Sequence, residues 1–173
     1  MKTLLLQSNG IKIRPFKESD IDYFFSHLKK INVNSFFFPD YFLSQYKFKK
    51  QFLDTGLLEE NGGYVLIVDI DENILGYIWY AKSTCFEGLL INYHQFCENK
   101  EKIVEAISIF SKYLFSSKRV NRLQVFVPNY DRKAITIARD SKFTFEGIIR
   151  QAVFDDGKYA DICIYSMLRE ENK

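Results

Sequence analysis

VNRLQVFVPNYDRKAITIARDSKFTFEGIIRQAVFDDGKYADICIYSML, residues 120–168, reads as strand, helix, strand, hairpin and strand. Leu123 to Val127 is a short apolar run with two valines and a phenylalanine, and Pro128 ends it as a strand end should. Asn129 or Asp131 can cap the helix that follows, whose inward face is Ala134, Ile135, Ala138 and Ile137. Phe145 to Phe154 is the next strand, with Gly147 near its start. Asp155-Asp156-Gly157-Lys158 is a hairpin signal, because Asp-Gly tolerates the positive φ of a tight turn. Tyr159 to Leu168 returns as a strand that alternates Ile162, Ile164 and Ser166 with Asp161, Cys163 and Tyr165.

The same reasoning extends back to the N-terminus. Ile11 to Phe16 alternates Ile11 and Ile13 with Lys12 and Arg14, a strand stopped near Pro15. Ser19-Asp20 opens a helix on Ile21, Phe24, Phe25 and Leu28, and a second helix is expected over Tyr41 to Leu53. Asn61-Gly62-Gly63 turns the chain into a strand, Tyr64 to Ile70, and Asp71-Glu72-Asn73 turns it back along Ile74 to Tyr80. Glu87 to Tyr93 is a further strand. Ile103 to Phe115 is an amphipathic helix with Ile103, Ala106, Ile107, Phe110, Tyr113 and Leu114 on one face.

At 173 residues one domain over 1–173 is expected, with a substantial core. The balance of 24 basic and 22 acidic side chains is too even to imply nucleic acid or a membrane surface. No apolar run approaches the roughly 20 residues of a membrane span, and Met1-Lys2-Thr3-Leu4-Leu5-Leu6 turns polar too soon for a signal peptide. Cys85, Cys97 and Cys163 are an odd count without a C-x-x-C pair, which suits reduced thiols in the cytoplasm and no metal site. Seventeen phenylalanines and eleven tyrosines must mostly be core.

The order Asn121-Arg122-Leu123, Asp131, Ala134, Ala138, Lys142-Phe143, Glu146-Gly147, Arg150, Asp156-Gly157, Asp161, Tyr165-Ser166 resembles the C-terminal half of the GNAT superfamily of N-acetyltransferases. It is most similar to the Rim-type branch, which acetylates protein N-termini and small amines. The resemblance implies an α/β (α+β) fold: a mixed, mostly antiparallel sheet of about seven strands flanked by about four helices. It also implies that the strands at Glu87–Tyr93 and Leu123–Val127 splay apart. The implied chemistry is transfer of an acetyl group from acetyl-coenzyme A (acetyl-CoA) to an amine of a small molecule or a protein N-terminus, without a metal.

In the family a loop of type R-G-x-G-x-A leads into the helix that follows the splayed strand, and its backbone N–H groups cradle the pyrophosphate. Glycines suit that loop because the backbone must come close, and a helix N-terminus favours an anion. Setting Glu105-Ala106 on the family's E-A places Glu98, Asn99, Lys100 and Glu101 where R-G-x-G belongs. Both glycines and the arginine are replaced, and weak donor binding is expected, with Lys100 and Lys102 as the cations that can reach a phosphate. Asp131 stands where the family has a helix-start asparagine, Lys142 where it has a glycine, and Ala138 where many members carry a tyrosine general acid. The implied donor contacts are therefore Ile91, Asn92, Tyr93, Asn99, Lys100, Glu101, Lys102, Asp131 and Ala134.

For catalysis the resemblance points to a backbone N–H near Asn92 and Tyr93 that polarises the thioester carbonyl. Glu87, on the strand, and His94, at its end, are candidate bases beside Tyr93, and Asp161 is a further carboxylate candidate. His94 is attractive for its unperturbed pKa, though a lone strand-end histidine is more often a surface residue. Cys97, close to a helix start, is a candidate for a lowered thiol pKa. The run Ser35-Phe36-Phe37-Phe38-Pro39-Asp40-Tyr41-Phe42 lies where family members recognise the acceptor; the same rings suit core packing or a dimer contact, and the chain is expected as a monomer or homodimer. A non-catalytic protein of the same fold that binds a ligand or partner is the alternative reading. A structural partner domain whose exposed aromatics drive oligomerisation is the third.

Overall fold

Two antiparallel wings of one sheet meet at a short parallel seam. The computed structural model describes residues 5–28, 44–83, 87–155 and 157–172. In chain order the strands are β1 (Leu6–Ser8), β2 (Ile11–Arg14), β3 (Leu58–Glu59), β4 (Gly62–Asp69), β5 (Ile74–Lys82), β6 (Leu89–Gln95), β7 (Arg122–Pro128), β8 (Thr144–Asp155) and β9 (Lys158–Leu168). The helices are α1 (Asp20–Leu28), α2 (Gln45–Thr55), α3 (Lys100–Ser117) and α4 (Arg132–Asp140). The sheet runs β1-β2-β4-β5-β6-β7-β9-β8, with β3 paired to β4 off this path. Every pairing is antiparallel except β6 with β7, which α3 connects as a crossover. The mixed, mostly antiparallel sheet with four helices is the expected architecture. The strand count among the described residues is nine rather than seven, because β1 and β3 span only three and two residues and leave no periodic trace.

Several element ends differ from expectation for local reasons. Helix α2 starts at Gln45, because Ser44 caps it by accepting from the Lys47 N–H, and Gly56 ends it at φ 64°. Helix α3 starts at Lys100, three residues before Ile103, because the Asn99 side chain accepts from the Lys102 N–H at 3.0 Å. Strand β6 starts at Leu89 and continues to Gln95, so Glu87 lies before the strand and His94 lies inside it. Residues 35–43, Cys85 and Asp156 fall outside the described residues, and with them the aromatic run proposed for acceptor recognition.

Strand alternation sends side chains to two cores. On one face Val65, Ile67, Ile78, Ile91, Tyr93, Val125 and Val127 pack against Ile103, Ala106, Ile107, Phe110 and Leu114 of α3 and against Ala134 and Ala138 of α4. On the other, Leu66, Val68 and Tyr77 meet Phe24 and Phe25 of α1 and Phe48 of α2. Phe24 is the hub, with ring centroids 5.0 Å from Phe48 and from Tyr77 and 5.3 Å from Phe16. The start of α1 is pinned to β2 by a buried two-pronged ion pair from Arg14 to Asp20, at 2.7 and 3.1 Å.

Gly76 fixes how closely β5 approaches β6 beside His94. A Cβ at that position would lie well inside van der Waals contact of the His94 carbonyl oxygen and 3.1 Å from the Gln95 Cα. Both are backbone atoms and cannot rotate away. Gly76→Ala is therefore expected to destabilise the protein by about 2–3 kcal/mol. Urea unfolding should show this as a lower midpoint with an unchanged slope; an unchanged midpoint would show that the two strands have slack here.

Candidate active site

The seam between the wings is two residue pairs long. Leu89 faces Leu123 and Leu90 faces Gln124, after which β6 and β7, seven residues each, no longer pair. The strands therefore splay from Ile91 and Val125 onward, as expected. Beyond the seam each stays bound to its own wing, β6 to β5 as far as Gln95 and β7 to β9 as far as Pro128. Both strands are followed within a few residues by helix starts, α3 after β6 and α4 after β7. The opening thus lies at the carboxyl ends of two parallel strands, the place where open α/β sheets present ligand crevices.

Backbone donors in this opening are held by asparagine side chains. The Tyr93 N–H donates to the Oδ1 of Asn92 at 2.7 Å, and Asn92 is only 3% exposed. At the helix start, the Lys102 N–H donates to Asn99 Oδ1 and the Ile103 N–H to the Asn99 carbonyl. Lys100 pairs with Asp140 at 2.9 Å, which raises its pKa, and Lys133 reaches Glu98 at 3.8 Å. These two exposed pairs tie the start of α3 to α4.

The remaining sequence-derived residues separate into distinct places. Ile91 and Tyr93 point into the core under α3 and α4. Burial raises the pKa of the Tyr93 hydroxyl, so it stays protonated. Asp131 caps α4 by accepting from the Ala134 N–H at 2.9 Å, and the Ala134 side chain is buried in the core, as is Ala138. Asp161 accepts from the Gln151 N–H at 2.9 Å and braces a bulge of β8, where Gln151 has φ 50°. Lys142 adopts φ 69° at the turn after α4, a conformation glycine would take without strain.

Two expectations are corrected. Cys97 was expected to gain acidity near a helix start, but burial pushes its thiol pKa up. Glu87 was placed on the strand that ends near His94, but it is exposed and precedes β6. It lines a cavity of about 600 Å³ with Ser116, Lys118, Arg119, Asn121 and Arg169 at the far end of the seam. At about 3.3 Å per strand residue, Glu87 and His94 lie on the order of 20 Å apart, so they cannot serve one reacting centre.

His94 sits on the α1–α2 face, its ring stacked on Tyr77 at 4.6 Å with 5° between planes. Its Nδ1 is shut off from solvent and has no hydrogen-bond partner among the described residues. Desolvation lowers its pKa to about 4. It is thus neutral at pH 7 and a much weaker base than an unperturbed imidazole. A ladder of rings continues from Tyr77 through Phe96 and His27 to Tyr23. Sequence reasoning missed this ladder, although Tyr77 and His94 are cross-strand partners that a correct β5–β6 register would have paired.

A second feature missed in the sequence is a polar network on the β7 wing. Arg122 bonds Gln124 and Glu146, and Ser166 donates to Glu146 at 2.6 Å. Arg122 keeps the Glu146 carboxyl below the ordinary range. Among the described residues no group of three or more His, Cys, Asp or Glu could hold a metal ion.

This splayed seam, with a helix start at its mouth, is the arrangement of an N-acetyltransferase fold. Residues 13–164 match the family model described as Acetyltransferase (GNAT) domain, and the chain belongs to that family, whose general chemistry is acetyl transfer. The fold is similar to that of a ribosomal-protein alanine acetyltransferase from Vibrio fischeri, with TM-score 0.78 and 16% identity over 98% of this chain and 99% of that one. It is similar to a spermidine N-acetyltransferase from Vibrio cholerae in complex with CoA and spermine, with TM-score 0.81 and 14% identity over 95% and 99%. It is similar too to an acetyltransferase from Salmonella typhimurium that modifies the N-terminal serine of a 50S ribosomal subunit protein, with TM-score 0.74 and 18% identity over 93% and 96%. No curated protein matches the chain significantly in sequence.

His94 also couples stability to pH. Unfolded, it takes up a proton below about pH 6.5, whereas folded it resists protonation until about pH 4. Its contribution is therefore fully present above pH 6.5, is lost as pH falls from 6.5 to 4, and is gone below that. The loss can reach about 3 kcal/mol. His94→Phe, which keeps a ring against Tyr77, should unfold in urea with a visibly flatter pH dependence across this window. Identical slopes for the two proteins would show that His94 is not desolvated.

Proposed function

We propose that this chain transfers an acetyl group from acetyl-CoA to an amine, with the donor entering between β6 and β7. The observation that carries this reading is the seam that ends after Leu90, with α3 starting at Lys100, five residues after β6 ends at Gln95. In this reading the amine nitrogen attacks the acetyl carbonyl carbon, its oxygen receives the Tyr93 N–H, and the C–S bond then breaks. The thiolate leaves on CoA and takes up a proton, while the nitrogen loses one. We place this action in the cytoplasm, on a protein N-terminus or a small amine; the solved structures named above include an enzyme that modifies a ribosomal-protein N-terminal serine and one that acetylates spermidine.

The acceptor's own basicity favours one of these. With its pKa near 4, His94 is a poor proton acceptor for an alkylammonium. An α-amino group, pKa about 8, is already neutral for roughly a tenth of the time at pH 7. An alkylamine with pKa about 10.4 is neutral for less than about half a thousandth of the time. In this reading an N-terminal α-amino group, or an amine of like basicity, needs less help from a base than an alkylamine does.

Donor binding is expected to be weak, because the α3 start is capped by Asn99, flanked by Glu98 and Glu101, and has Lys100 turned to Asp140. The same observation favours a second reading, a ligand- or partner-binding module of this fold that has lost the donor. Two carboxylates facing a pyrophosphate at about 6–8 Å and an intermediate dielectric each cost on the order of 1 kcal/mol. Glu98→Arg, Asn99→Gly and Glu101→Gly together should tighten acetyl-CoA binding at least about tenfold by calorimetry, with the gain absent for pantetheine, which lacks the phosphates. Heat from neither parent nor triple variant at millimolar donor would replace acetyl transfer with the second reading.

A further inference from the structure

Where β6 leaves β7, its backbone polar groups lose the neighbour that would complete their ladder. At Tyr93 the replacement comes from the preceding residue. Asn92 is buried, its Cα is the cross-strand partner of Trp79, and its Oδ1 accepts the Tyr93 N–H at 2.7 Å. A carboxamide oxygen is a full-strength acceptor for an amide N–H, so this donor is satisfied before any ligand arrives. An alanine or leucine at position 92 would keep the strand but offer no acceptor.

We propose that Asn92 is the positioning residue that gates the Tyr93 N–H, so that the site distinguishes acylated from free CoA through this one side chain. The inference rests on the acetyl-transfer reading. An acetyl carbonyl can use the Tyr93 N–H only by displacing Asn92 Oδ1. A free thiol makes no such demand and leaves the Asn92–Tyr93 bond in place. Asn92 therefore lowers affinity for the acetylated donor without altering affinity for CoA.

Calorimetric titration of the parent, Asn92→Ala and Asn92→Leu with acetyl-CoA and separately with CoA tests this. Both variants should bind acetyl-CoA about two- to tenfold more tightly, the span of one neutral hydrogen bond, with CoA affinity unchanged. Equal gains for both ligands would mean that the side chain only shapes the cleft, and would overturn the gate. Unchanged acetyl-CoA affinity in folded variants, with CoA still binding, would overturn it and leave the acetyl-transfer reading standing. No binding of either ligand by any of the three proteins would overturn both. The parent alone supplies a check independent of variant folding: the Tyr93 amide resonance should shift with acetyl-CoA and stay in place with CoA. A shift of equal size with both ligands would count against the gate.

Discussion

The structure depends on the parallel seam between β6 and β7 being so short. Two residue pairs join wings that are otherwise held by their own antiparallel ladders, β4-β5-β6 on one side and β7-β9-β8 on the other. Backbone hydrogen bonds across the seam are too few to hold the wings together. That task falls to α3, whose Ile103, Ala106, Ile107, Phe110 and Leu114 fill the space behind both strands. Burial is non-directional, so a helix can hold two strands at an angle that a hydrogen-bond ladder would not permit. The cost is a set of backbone groups beyond Leu90 and Gln124 that need other partners, and the chemistry of the site follows from how they find them.

Several residues that carry the family resemblance turn out to hold this frame. Arg122, Glu146 and Ser166 form one network across β7, β8 and β9. Glu146 stands where β8 slips register between Phe145 and Gly147. The Asn121 carbonyl accepts from the Arg169 N–H just past the end of β9. Glu105 accepts from Ser8, which docks β1 onto α3. Their spacing along the chain therefore reports how the β7 wing is braced, and it made the fold readable without locating the reacting groups.

Legibility followed the range of the interaction that decided each feature. Strand alternation, the pairing of Asp155 with Lys158 beside Gly157 at φ 76° and the Asp131 cap are local, and they were readable. The β1–β2 hairpin was overlooked although Asn9-Gly10 announces it, both residues having positive φ as such a turn requires. The state of His94 was unreadable, because its low pKa comes from Tyr77 and the helices packed over that face. Cys97 failed for the same reason: nearness to a helix start is visible in sequence, whereas burial of the thiol is not. Asn92 and Asn99 were named as donor contacts, but nothing in a one-dimensional pattern shows an asparagine occupying the N–H that a ligand would use.

That occupancy bears on how the site would catalyse in the acetyl-transfer reading. Exchanging Asn92 Oδ1 for the ground-state thioester carbonyl swaps one neutral acceptor for another, so the Tyr93 N–H adds little to substrate binding. As the amine attacks, the carbonyl oxygen gains negative charge, and hydrogen bonds to charged acceptors are roughly twice as strong as neutral ones. The exchange then becomes favourable at the transition state and stays near balance before it. Because only interactions that strengthen in the transition state raise the rate of the chemical step, self-capping by Asn92 would, in the acetyl-transfer reading, turn a binding group into a catalytic one.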